Sequence, residues 1–240
     1  MSRLLTAEEL VNLDRYCLKK GVQYYDVRIE LVDHLANYIE AQWVKNKDID
    51  FDFLFQQAHS QFGRTGFRKL MYEREKITEK NIRKQFWLQL KAHFRWPLLL
   101  KTLTLIIAFI SLQQWLLDSN PIMLQYILGM VAVIVFIAEI SHFVIVNRKT
   151  DSMRYKLLIT QCVTALDYCS ITLFPIIQFI YDFLFTQKVI LQSGIMYWII
   201  ASVLIFNILV IFTSKLLAQK IFAQAKSQYP ECFSKKIITT

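Results

Sequence analysis

The sequence predicts an all-α protein: an N-terminal cytosolic helical domain followed by a four-helix transmembrane bundle. Three observations predict it. Of the 240 residues, 55% are apolar and the mean hydropathy is +0.32, more than an ordinary soluble domain carries. The apolarity is segregated: residues 1–96 are charged throughout, whereas residues 97–214 hold nearly all the long apolar runs. Glycine and proline number only five and four, which favours helices over turn-rich sheets. The opening MSRLLTAEELVNLD has no apolar core of signal-peptide length and turns acidic at Glu8 and Glu9. We therefore expect no cleaved leader and a cytosolic beginning.

The first element begins at Thr6–Glu9, TAEE, which has the form of a capping box. A helix should run from there to about Lys20, with Gly21 as its stop. A second helix follows over about 23–45. Tyr25, Ile29, Val32, Ala36, Ile39 and Trp43 alternate by four and three and form one apolar stripe, widened by Leu31, Leu35 and Tyr38. A third helix starts near Asp50 or Asp52, carries Phe53, Leu54, Ala58 and Phe62, and ends at Gly63. These elements define an interaction domain over residues 1–63.

Asp26, Glu30, Asp33, Asn37 and Glu40 repeat the same spacing and form an acidic stripe beside the apolar one, with His34 at its border. Glu30 and His34, four apart, could share a metal, but only His59 offers itself as an outside ligand, and two-histidine sites of this kind need more. A solvated or partner-facing helix side explains the pattern better. The expected partner-binding face is therefore Asp26, Glu30, Asp33, His34, Asn37 and Glu40.

These residues also carry a resemblance. YYDVRIELVDHLANYIEAQW followed by FDFLFQQAHSQFG resembles the small helical domain called HAAS or permease-prefix, over roughly residues 5–72. The matching positions are Glu30, Asp33, His34, Leu35, Ile39, Glu40, Ala58, Phe62 and Gly63. The layout as a whole is similar to four-span membrane proteins of the Bacteroidetes type. Relatives of the domain stand before permeases or in membrane proteins encoded beside PadR-like repressors. The resemblance implies a bacterial regulatory or interaction module, with a PadR-like regulator or a permease component as partner, and no catalytic residues.

From Arg64 to Arg95 the chain has ten Lys/Arg against Glu73, Glu75 and Glu79. We expect a basic juxtamembrane helix over 64–96. Its Arg74, Lys76, Lys80, Arg83, Lys84, Lys91 and Arg95 should contact an anionic inner leaflet, with Phe86, Trp87, Leu90 and Phe94 interleaved. It could instead dock on the acidic stripe and close the module. The net charge of +9 does not by itself point to nucleic acid, because cytosolic loops of a membrane protein account for it and no reading helix or stacking sheet is evident.

Spans of about 20 apolar residues cross the hydrocarbon core, and four are expected, at 97–117, 122–146, 157–185 and 195–213. Lys101 can snorkel from the first, DSNP turns the chain into the second, and Pro175 is a bend point in the third. Arg148, Lys149, Arg154 and Lys156 lie in the middle loop, 147–156. Lys215, Lys220, Lys226, Lys235 and Lys236 lie in a basic tail over 215–240, and the opposite connections hold only Lys188. The basic side is the cytoplasmic side, so both termini face the cytoplasm and the protein belongs in the cell inner membrane.

Glu139, His142, Gln161, Thr164 and Asp167 are polar residues within these spans. Such groups should face the bundle interior, either as helix–helix glue or as a path for ions, protons or substrate. Glu139 and Asp167 on separate spans could also form an aspartyl-type pair, without further support from flanking residues. Cys17, Cys162, Cys169 and Cys232 show no metal or redox spacing and read as small packing residues. No nucleotide-binding loop is present. The sequence thus favours a regulatory or scaffold membrane protein, with no cofactor and no enzyme activity. The alternative is a transporter or permease-like component built on Glu139 and Asp167. Self-association is compatible with either.

Overall fold

The computed structural model describes residues 3–46, 48–62, 66–96, 98–166 and 194–234. Among them there is no strand. The helices are α1 (Ala7–Lys19), α2 (Tyr25–Lys45), α3 (Phe51–Phe62), α4 (Gly66–Ala92), α5 (Leu98–Ser119) and α6 (Pro121–Asp151). They are followed by α7 (helical residues 158–166), α8 (Gly194–Gln228) and a short 3-10 turn at Pro230–Phe233. The chain divides into two compact units. The first joins Met1–Lys80, Thr150–Cys162 and Ala225–Thr240; the second joins Asn81–Lys149 and Val163–Gln224. The first unit therefore extends beyond the expected 1–63 domain and recruits two distant segments.

In the first unit, α1 begins with the expected capping box. The Glu9 amide donates to Thr6 Oγ1 at 3.2 Å, and the Thr6 amide donates to Glu9 Oε2 at 2.7 Å. The helix ends in a Schellman motif, with Val22 N–H donating to the Cys17 carbonyl and Gly21 N–H to the Leu18 carbonyl, both at 3.0 Å. Gly21 has φ +92°, and an added Cβ would meet nothing within 4 Å. Gly21→Ala should therefore cost only the left-handed backbone strain, about 1–2 kcal/mol. Thermal melting of the full chain checks this, and an unchanged melting temperature would refute it.

Leu13, Cys17, Leu31, Leu35, Ile39, Trp43, Leu54 and Ala58 are almost wholly buried. Within each helix they recur at intervals of four, so each helix turns one row toward a common core. The expected stripe on α2 is thus rotated: Leu31–Leu35–Ile39 forms its centre, while Ile29 is exposed and Val32 half-buried. Apolar residues cover more than half of α2, and periodicity could not tell which part faces inward. Tyr16 and Phe55 meet edge to face at 4.6 Å, and Phe51 stacks on Phe55.

Among the described residues, three helices are long and apolar enough to cross a membrane: Leu99–Ser119, Tyr126–Asp151 and Ser202–Gln228. Large apolar side chains such as Leu105, Ile107 and Ile134 are exposed on them, as expected for lipid-facing helices. Only Asn120 separates α5 from α6. Its Oδ1 accepts from the Met123 amide at 3.1 Å, and Pro121 occupies the first helical position. Leu116, Leu124, Leu128 and Leu204 form a buried cluster.

Two expected boundaries move. The loop expected at 147–156 is helical as far as Asp151, which leaves the turn at 152–157. The tail expected from 215 continues α8 to Gln228. Leu217, Ile221 and Ala225, spaced by four, are buried, and that row carries the helix past the expected end of the fourth span at residue 213. Of the expected third span, residues from 167 onward lie outside the described residues, and Asp167, Cys169, Pro175 and Lys188 with them. Lys235 and Lys236 also fall outside.

Candidate functional site

The N-terminus of α2 has no Ser, Thr, Asp or Asn cap, and its Tyr24 makes no side-chain cap bond. The distant segment 150–162 satisfies this end instead, with the Tyr25 amide donating to the Lys156 carbonyl at 2.8 Å. In return, the carboxylate of Asp26 caps α7. It accepts from the Leu158 amide at 3.0 and 3.1 Å and from the Ile159 amide at 3.4 Å, and it also accepts from its neighbour Val27. Two helix termini, remote in sequence, therefore satisfy each other's orphan amides.

An aromatic cluster closes around this exchange. Tyr25 stacks on Tyr155 with ring centres 5.0 Å apart and meets Tyr229 edge-on at 6.2 Å. Arg28, only 4% exposed, donates from Nε to Asp14 at 2.5 Å and lies over the rings of Tyr25 and Tyr155. Burial, then a hydrogen bond to Glu231, pushes the Tyr25 phenol up to about 12. The Arg154 amide donates to the Cys232 carbonyl at 2.8 Å, which ties in the segment after α8. Cys17 and Cys232 are buried thiols, and burial pushes them up to about 12 and 11. They pack rather than react.

The expected acidic face divides in two. Asp26 caps α7, Glu30 pairs with Arg74, and Glu40 accepts from the Leu5 amide at 3.1 Å. Asp33, His34 and Asn37 are exposed, with the Asn37 amide donating to Asp33 at 3.3 Å. His34 Nε2 lies 3.9 Å from Glu30, and both are open to solvent. The Arg74–Glu30 pair is one contact of the kind expected if α4 docks on the stripe. The remaining basic residues Lys76, Lys80, Arg83, Lys84, Lys91 and Arg95 are exposed, as are Trp87, Leu88, Phe94 and Trp96. Cations interleaved with aromatic rings ahead of a span suit a membrane interface.

Beside the junction, α1 and α2 leave an open groove of about 620 Å³. Its walls include Leu10, Val11, Leu18, Ile29 and Val32. Reading the sequence for one buried face per helix missed it. The signal was present in α1, where Leu13 and Cys17 occupy one face and Val11 and Leu18, seven apart, another.

In the second unit, Glu139 is 4% exposed, and neither carboxylate oxygen has a hydrogen-bond partner among the described residues. His142 is half-buried one turn on. Thr164 is buried and Gln161 exposed, so the expected polar seam is not uniformly buried, and Asp167, its third member, lies outside the described residues. Comparison of the chain with protein-family models, curated proteins and solved structures returned no match.

Proposed function

We propose that the chain is a multi-pass inner-membrane protein of regulatory or scaffold type, whose N-terminal helical module binds a partner protein in the cytoplasm. One observation carries this reading. The module, the segment after α6 and the segment after α8 form a single compact unit, so a partner held there acts on the connections between membrane helices. Membership of one unit supports these three segments lying on one side of the bilayer. This supports an even number of crossings, four on our reading, with both termini cytoplasmic. The basic residues of the same segments support that side being the cytoplasm. The resemblance to HAAS or permease-prefix domains supports a PadR-like regulator or a permease component as the partner. The exposed cations of α4 would hold the module at an anionic leaflet, each adding about 1 kcal/mol near the surface.

Crosslinked capture of the full-length protein from native membranes tests the reading. Asp33 and Asn37 are the residues to reverse, as Asp33→Lys with Asn37→Lys. Glu30 and Glu40 are unsuitable because they hold the fold. Enrichment of a soluble protein, reduced at least fivefold in the variant, is the expected result. Capture of copies of the chain alone would refute it.

Glu139, buried and without a hydrogen-bond partner among the described residues, favours a second reading, a transporter or permease-like component with this carboxyl on a polar path. Glu139→Gln should then abolish transport and leave partner capture intact.

A further inference from the structure

The geometry points to the α1–α2 groove as the docking site for an amphipathic helix of the partner protein, about three turns long, with a basic flank. This rests on the partner-binding reading and names the surface and the chemistry.

The groove is apolar yet open. Val11 is 48%, Leu18 49% and Ile29 39% exposed. Apolar side chains collected along a concave strip, rather than scattered, mark a contact surface. Its length sets the size of the occupant. Along α2 the walls run from Tyr25 to Ala36, about 16 Å at 1.5 Å per residue. That accommodates roughly three helical turns with anchors at i, i+3 or i+4, and i+7.

Charge selects among occupants. Among the described residues, three charged side chains line the groove: Asp14, Arg28 and Asp33. Arg28 is consumed by Asp14 and by the rings of Tyr25 and Tyr155. Asp33 is left on the wall, exposed, where it accepts from the side-chain amide of Asn37. In a chain of net charge +9, this strip is locally acidic. A Lys or Arg at the edge of the incoming apolar face meets Asp33. An anionic lipid surface is repelled by the same carboxylate. A second copy docking through the same face would oppose Asp33 to Asp33.

Photo-crosslinking in native membranes tests this. Val11→benzoylphenylalanine and Ile29→benzoylphenylalanine are made in the full chain, and adducts are sequenced by mass spectrometry. Tyr72→benzoylphenylalanine, exposed in the same unit and outside the groove, is the reference. The expected adduct from both groove positions is a partner segment with apolar residues at intervals of three and four and Lys or Arg on one flank. Its yield should fall at least fivefold with Asp33→Lys, in a chain whose thermal melting is unchanged. Adducts to copies of the chain, to lipid, or to an acidic segment overturn the proposal, as does the absence of adducts from the groove. Protein adducts from Tyr72 alone overturn the groove and leave the partner reading standing. Adducts from none of the three positions remove both.

Discussion

Asp26→Ala is expected to open the junction between α2 and the 150–162 segment while α1, α2 and α3 stay folded. The Asp26 carboxylate accepts from the amides of Leu158, Ile159 and Val27. Hydrogen bonds to a charged acceptor contribute about 1.5–3 kcal/mol each, and alanine leaves the α7 amides without their cap. A loss of about 3 kcal/mol is expected. That corresponds to more than 100-fold faster exchange of the Leu158 amide, at tenfold per 1.4 kcal/mol. Hydrogen–deuterium exchange on the full-length protein reads this directly. Wild-type exchange at Leu158 in the variant would show that Asp26 holds nothing.

The same residue predicts a pH dependence. Burial raises the Asp26 carboxyl above its ordinary value of 3.8, and the hydrogen bonds from Leu158, Ile159 and Val27 oppose the shift only in part. An acid raised in the folded state contributes stability that is fully present below its unfolded value. That stability is lost as pH rises through the folded one. The junction should therefore tighten as pH falls from neutral toward 4. Asp26→Asn, which keeps an acceptor and cannot ionise, should flatten the response. An equal response in both proteins would assign it to another group.

Trp43→Ala should destabilise the first unit more than any other single change considered. Trp43 is fully buried, donates from Nε1 to the Ile49 carbonyl at 2.8 Å, and carries the Arg3 guanidinium 4.1 Å from its ring. Truncating a buried tryptophan costs about 3–5 kcal/mol. A domain of this size has a total of about 5–15 kcal/mol. At roughly 4–8 °C per kcal/mol, the unit's melting temperature should fall by on the order of 20 °C. Trp43→Phe should recover much of it, apart from the bond to Ile49. A fall of less than about 5 °C would place the core elsewhere.

Particular residues show how much of this was legible. Thr6, Glu9 and Gly21 announced the ends of α1, because capping and left-handed termination are local requirements with few residue solutions. Three of the four expected apolar helices were legible, because a helix able to cross lipid must be continuously apolar; most of the expected span at 157–185 lies outside the described residues. Ile29 was misread: α2 has more apolar surface than its core neighbours cover, and spacing alone does not say which part is left over. The extension of α8 to Gln228 was missed because Lys215 and Lys220 suggested a solvated tail, whereas Leu217, Ile221 and Ala225 already carried the helical row. The pairing of Arg74 with Glu30 could be framed only as a possibility, since charge pattern does not fix which partners meet.

By itself, the sequence determined helix content, segregation of charge from apolar runs, and the local caps. Each depends on residues within a turn or two of one another, or on composition over the width of a bilayer. Only the tertiary structure decided that residues 1–80, 150–162 and the segment after 225 form one unit. It alone showed that Asp26 serves a helix terminus 132 residues away and that an open groove lies beside that contact. Those facts depend on which surfaces meet across long stretches of chain, and residue spacing carries no information about such meetings.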